Sequence, residues 1–284
     1  MQEQAFRFGR ARHLVGIAGL PERCPESGGV GAAGVGVIVL NAGLVHRIGP
    51  FRLHVEMTRR LNACGYPTLR FDLSTLGDSS ACEESQTRVQ QVCSDVGDAM
   101  DLLARESGCS RVVLIGLCSG AQNAHTVACT EARVAGAIFL DGYAYRTPGY
   151  HLRHYLPRLL DIGRWRRALA HRRHPSAEAP KPAEPVFSVE PLPQDVVRAD
   201  LASMLDRGLK LFLVYSGGIS NYFNHARQFR ECFGRVVAHP GCSTSFLDAA
   251  DHTYILNVDR NRLIESIERW LSRNFPVVAK DAPS

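Results

Sequence analysis

Residues 116–120 read Gly-Leu-Cys-Ser-Gly, preceded by an apolar β-type run (RVVLIGL, 111–117) and followed by an apolar segment of helical composition. Strand, sharp turn and helix in that order form a nucleophile elbow, which lifts the turn residue above the sheet; here cysteine, Cys118, stands where serine is usual. Gly116 and Gly120 have no Cβ, which lets the strand and the helix approach closely. A helix starting at Ser119 aims its free N–H groups and positive end at the Cys118 sulfur, favouring thiolate over thiol. The competing reading is a buried strand ending in a small apolar cysteine.

A thiolate that attacks a carbonyl needs a proton shuttle, and the shuttle needs an orienting group. His252, in DAADHTYIL, falls in a loop between the last short strand and the terminal helix, at the same sheet edge as Cys118. The other ten histidines lack that context. The acid is less direct. After LKLFLVY (209–215), where a carboxylate is often expected, the chain reads SGGISN. Asp141 ends the preceding apolar run (AIFLDG) and emerges at the same edge, so it is the first candidate, with a turn cap as its alternative role. Asn221 is the second candidate, because an amide can orient a histidine beside a cysteine nucleophile. Asp251 is the third and weaker, since sequence neighbours point apart.

A tetrahedral oxyanion needs two converging backbone donors. One is expected from the Ser119 N–H. The other is expected from Ala42, in the loop Asn41-Ala42-Gly43-Leu44, where small residues allow close approach. Gly43, His46, Arg47 and Asn221 are expected to line the substrate site. Arg47 could pair with an anionic substrate group or enter a structural ion pair. Asp72 and Asp78, in RFDLSTLGDS, are expected to organise the turn after their strand.

The elements that must position these groups alternate along the chain. Residues 5–9 and 12–19 read as a lead-in hairpin. Strands are expected at 35–41, 67–73, 111–117, 134–140, 209–215 and near 235–239. Helices are expected at 51–63, 85–106, 119–130, 222–233 and 257–273. Such alternation implies a mostly parallel sheet covered on both faces, with ligands at the carboxyl ends of its strands. Residues 142–206 interrupt it. An arginine-rich helical stretch (150–172) runs into a proline-dense one (174–195), placed where a cap or lid would overhang the elbow. The expected organisation is a core of 1–141 and 207–284 with a cap inserted at 142–206.

Composition narrows the function classes. The 284 residues contain 45% hydrophobic residues and nine cysteines. An odd cysteine count, without CxxC pairs or a Cys/His ligand spacing, argues against a disulfide framework and against a zinc site, and for a reducing compartment. No signal peptide or membrane span is visible, so a cytoplasmic protein is expected. Net charge is +5, but residues 146–174 hold eight arginines against Asp161 alone. That stretch could dock an acidic partner, or be a solvated helix face. The run GGVGAAGVG (28–36) precedes its strand and is not a dinucleotide loop. No nucleic-acid fold is legible, so no nucleic-acid partner is expected.

With these residues in view, the chain resembles the α/β-hydrolase superfamily from about residue 5 to 274. The marks are GLCSGA (116–121), RFDLSTLGDS (70–79) and ADHT (250–253), in the order nucleophile, acid, histidine. NAGLVHRIGPFRLHVEMTRRL (41–61) is further similar to uncharacterised bacterial hydrolases, some like those encoded beside exosortase or exopolysaccharide genes. The resemblance implies an α/β-hydrolase fold and cleavage of an ester, thioester or amide, or acyl transfer, without a cofactor. The cysteine is similar to that of branches acting on dienelactones or on carrier-bound acyl groups. The reading it supports is an acyl-cysteine enzyme using Cys118, His252 and Asp141. The contrasting class is a binding protein that keeps the pocket without the chemistry.

Overall fold

Five-residue and seven-residue apolar runs that are buried along their whole length mark strands covered on both faces. Val35–Val39 and Val134–Leu140 are of this kind, with every residue buried. A computed structural model describes residues 2–21, 34–82, 85–160 and 192–277. Its strands are β1 (Gln2–Phe8), β2 (Leu14–Leu20), β3 (Val35–Val39), β4 (Thr68–Asp72), β5 (Arg111–Leu117), β6 (Val134–Leu140), β7 (Lys210–Ser216) and β8 (Cys242–Leu247). They form one sheet in the order β1-β2-β4-β3-β5-β6-β7-β8. β1 and β2 form the expected antiparallel hairpin, β2 pairs antiparallel with β4, and every later pairing is parallel.

The helices are α1 (Leu53–Ala63), α2 (Arg88–Ser107), α3 (Ser119–Thr130), α4 (Pro148–Leu160), α5 (Gln194–Asp206), α6 (Gln228–Phe233) and α7 (Asn257–Asn274). On one face, Leu53, Met57 and Leu61 of α1 join Leu263, Ile264 and Ile267 of α7 over Val37, Ile115 and Ile138. On the other, Val96 and Leu103 of α2 and Ala124 and Val127 of α3 cover Ile38, Leu114 and Ala137. Each Val, Leu, Ile or Met side chain among them contributes about 2 kcal/mol by leaving water. The longest helix, α2, starts on a reciprocal capping box between Thr87 and Gln90 and stops at Gly108, which adopts a left-handed conformation.

Three boundaries differ from the sequence reading. The short strand expected near 235–239 is a 3-10 turn (Gly234–Ala238), and the strand follows at β8. The polar, serine-rich sequence CSTSFL is a weak strand signal, and its pairing with β7 supplies what propensity does not. The helix expected at 222–233 is confined to α6. The helix expected from 51 begins at Leu53, after a turn in which Phe51 and Arg52 take φ of 46° and 66°. Within 142–206, Val197, Leu201, Met204 and Leu205 of α5 pack into the same buried cluster as α3. Residues 161–191, which hold most of the proline-dense stretch and five of the eight arginines (164, 166, 167, 172 and 173), lie outside the described residues. Among the described residues no helix is long and apolar enough to cross a membrane.

Candidate active site

The β5–α3 turn sets Cys118 at the N-cap of α3 with φ 57° and ψ −117°. A side-chain-bearing residue in that region carries about 1–3 kcal/mol of strain, which surrounding packing must hold. The packing is visible in the two flanking glycines. A Cβ on Gly116 would overlap the Gly120 carbonyl, and one on Gly120 would overlap the Asn41 carbonyl oxygen. Strand, elbow helix and β3 loop therefore meet backbone to backbone. The ladder continues past the strand ends: Cys118 N–H donates to Leu140 O, and Asp141 N–H to Val214 O, each at 2.9 Å. These bonds place Cys118 and Asp141 side by side at the carboxyl edge.

His252 reaches this edge from the loop after β8. Its Nδ1 lies 2.8 Å from Asp141 Oδ2, with the carboxylate fully buried and the imidazole about one-third exposed. The exposed Cys118 thiol is the second group that acts on the ring. The consequences run in opposite directions. The hydrogen bond with His252 holds the Cys118 thiol below its ordinary value, against partial burial, with help from the His252 charge and the Ser119 N–H. Hydrogen bonds to Asp141 first and Cys118 second raise His252 to about 10. Both shifts run toward the charged forms, thiolate on Cys118 and imidazolium on His252.

Asp141 is itself held by a residue the sequence reading passed over. Ser216, at the end of β7, donates its N–H to Asp141 Oδ1 and its hydroxyl to Asp141 Oδ2, both at 2.6 Å. This is the strand end where the sequence pattern leads to the expectation of a carboxylate. The hydroxyl there supports a carboxylate supplied by the neighbouring strand. Ser216 follows LKLFLVY immediately, so its place at the edge was readable although its partner was not.

The other two acid candidates are engaged elsewhere. Asp251 caps its own turn, accepting from Thr253 N–H (2.8 Å), the Thr253 hydroxyl (2.6 Å) and Ile255 N–H (2.9 Å). Asn221 is exposed, and its carbonyl accepts from Arg146 Nε and the Tyr150 hydroxyl at 2.9 and 2.8 Å. Neither orients His252.

The β3 loop is held against the elbow. Gly43 N–H donates to Ser119 Oγ at 2.8 Å, and the Val45 N–H donates to Ala42 O at 3.0 Å. Asn41, buried at its base, accepts from Leu73 N–H and donates to Val45 O and Asp72 Oδ1. Of the two roles expected for Arg47, the structure shows the ion pair and not the substrate contact: its guanidinium bonds Asp72 (2.5 Å) and Asp78 (2.7 Å). Asp72 is fully buried, accepts also from the Arg47 and Asp78 N–H groups, and so organises the turn as expected. His46 is exposed on the same loop. Of the arginine-rich stretch, Arg146 lies over the Tyr222 ring and Arg153 pairs with Glu231.

The model of the alpha/beta hydrolase family matches residues 37–280. No curated protein sequence matches the chain. Among solved structures, an esterase of Pyrococcus furiosus superposes with TM-score 0.62 at 16% identity, covering 96% of this chain and 91% of that one. A proline iminopeptidase of Mycobacterium smegmatis gives 0.59 at 14% identity, over 96% and 98%. A putative alpha/beta hydrolase of Agrobacterium tumefaciens gives 0.57 at 13% identity, over 99% and 100%. At these identities the likeness is one of fold.

Proposed function

The chain belongs to the alpha/beta hydrolase family, and from that premise we propose that it cleaves or transfers an acyl group through an acyl-cysteine intermediate. The observation that carries this reading is the line from buried Asp141 through His252 to the Cys118 thiol. A hydrolase needs an activated nucleophile, a proton carrier and a fixed counter-charge, and in this reading Cys118, His252 and Asp141 fill those parts.

Cys118 Sγ adds to the carbonyl carbon of an ester or thioester, and the carbonyl π pair moves to oxygen. The oxyanion accepts from the N–H groups of Ser119 and Ala42, a contribution worth about 10²–10³ in rate per donor in comparable sites. Collapse of the adduct expels the alcohol or thiol, which takes its proton from His252. Water or a second acceptor, losing its proton to His252, then attacks the acyl-cysteine and releases the thiolate. Asp141 keeps the ring oriented and stabilises its charge throughout. Exchange between a thioester and the Cys118 thiol conserves bond type, so carrier-bound acyl groups suit this site at least as well as oxygen esters.

Intact mass after incubation with acyl thioesters and activated esters tests the reading. An adduct on wild type and none on Cys118→Ala supports it, and release to water or to an added amine separates hydrolysis from transfer. No adduct and no turnover across the panel would favour a non-catalytic binding protein.

A further inference from the structure

Helix α3 carries a second group of donor side chains, away from the elbow. His125 and Cys129 are four residues apart, hence on one face of the helix about 6 Å apart along its axis. They lie about 10–16 Å along α3 from Cys118 by the same rise. Asp200, on α5, faces them: its Oδ2 is 3.4 Å from His125 Nε2. The Cys129 sulfur is 3.9 Å from the other ring nitrogen, Nδ1. One donor atom from each of the three residues lies within 4.8 Å of the other two.

The His125 ring supplies an independent observation. It is 2% exposed, and its orientation is set by the Tyr143 and Phe139 rings at 5.1 and 6.1 Å. Yet its Nε2 has no hydrogen-bond partner among the described residues. The Asp200 oxygen is within ion-pairing distance but makes no hydrogen bond to it. A buried imidazole nitrogen left without a hydrogen-bond partner is destabilising. A nitrogen and an oxygen 3.4 Å apart with no aligned hydrogen bond between them have the spacing of two ligands around one ion. Bond lengths of about 2.0–2.2 Å to zinc at a tetrahedral angle separate nitrogen and oxygen ligands by about 3.3–3.5 Å.

We propose that His125, Cys129 and Asp200 form a binding site for a divalent zinc-type cation, which pins the elbow helix α3 to α5. Imidazole, thiolate and carboxylate are the donor classes zinc accepts, and the thiolate disfavours magnesium and calcium. Cys129 releases its thiol proton to solvent as the ion binds. The sulfur closes by about an ångström to reach the tetrahedral spacing. Asp200 is about one-third exposed, which leaves the fourth position to water. The sequence reading expected no metal, on the absence of both CxxC pairs and a Cys/His ligand spacing. It passed over His125 and Cys129, one turn apart, whose third partner lies 71 residues beyond Cys129 on another helix.

The test uses metal-free full-length protein carrying Cys118→Ser, so that the cysteine of the candidate active site cannot contribute. Cobalt(II) is the probe, because thiolate ligation gives a charge-transfer band in the near ultraviolet. The expected result is that band at one equivalent, its displacement by zinc, and a rise in melting temperature with zinc. Cys129→Ser should abolish the band, and Asp200→Asn should weaken cobalt binding at least tenfold. Both positions are partly exposed, and circular dichroism checks that the variants fold. No band at one equivalent, or a band that survives Cys129→Ser in folded protein, would overturn the proposal.

Discussion

Ser216 gives Asp141 two hydrogen bonds, one from its backbone N–H and one from its hydroxyl, and so binds the end of β7 to the carboxylate at the end of β6. The carboxylate facing His252 therefore comes from β6, and β7 contributes only its support. Hydrogen bonds to an ionised acceptor are worth about 1.5–3 kcal/mol each. Ser216→Ala keeps the backbone bond and removes the other. It should lower kcat on an activated ester by about tenfold with little change in KM. Asp141→Asn should cost about 10²–10⁴ in kcat, because an amide does not stabilise an imidazolium. Placing the carboxylate one strand over, as Asp141→Ser with Ser216→Asp, should recover at least tenfold over Asp141→Ser alone. Steady-state kinetics on the four variants decides this.

The coupling of Cys118 to His252 predicts a definite pH dependence. Iodoacetamide should alkylate Cys118 with a midpoint below the ordinary thiol value of 9. His252→Ala, which removes the hydrogen bond and the charge, should move the midpoint up to that value or beyond. An unchanged midpoint would remove the basis for an activated thiol. Turnover should fall on the alkaline side as His252 loses its proton near pH 10.

Stability follows the same linkage. The folded pKa of His252 lies above its ordinary 6.5, so protonated His252 contributes fully below pH 6.5, and the contribution fades as pH rises to about 10. Thermal melts of wild type and His252→Ala should accordingly differ most at neutral and acid pH and converge toward pH 10. The depressed Cys118 thiol acts in the opposite sense: its contribution is present above 9 and is lost as pH falls through the lowered value. Melts of Cys118→Ala measure that part separately.

Backbone contact at the elbow distinguishes two glycines. Gly120→Ala forces a methyl group into the Asn41 carbonyl and should cost about 1–3 kcal/mol, lowering the melting temperature by about 3–10 °C and reducing activity with it. Gly43 has open space around its missing Cβ but a φ of 57°. Gly43→Ala should cost only about 1–2 kcal/mol, from conformation alone. Differential scanning calorimetry of the two variants separates overlap from strain.

Arg47 should behave as scaffold. Arg47→Met leaves the buried Asp72 carboxylate without its guanidinium, and breaking such a pair costs about 3–5 kcal/mol. Stability should fall while KM values for neutral and anionic substrates change by the same factor. A selective loss of affinity for the anionic substrate would instead assign Arg47 to binding.

What was legible in the chain was local. β5, α3 and β6 were readable to the residue because buried apolar runs and the Gly-Leu-Cys-Ser-Gly turn carry their own geometry. The loop of His252 was readable because a polar segment sits between a strand and an amphipathic helix. β8 was misplaced, since CSTSFL has little intrinsic preference for a strand and is ordered by its neighbour. Which group would face the His252 ring was undecidable between Asp141, Asn221 and Asp251 from spacing alone.

The sequence by itself determined the alternation of elements, the elbow at Cys118 and the placing of His252 at the same edge, because those depend on periodicity and turn chemistry within a few residues. Only the tertiary structure decided that Asp141 meets His252, that Ser216 supports it, that Arg47 meets Asp72, and that Asp200 faces His125. Each of those contacts joins residues 25 to 111 positions apart. Their meeting depends on strand register and helix packing, which only the folded chain as a whole sets.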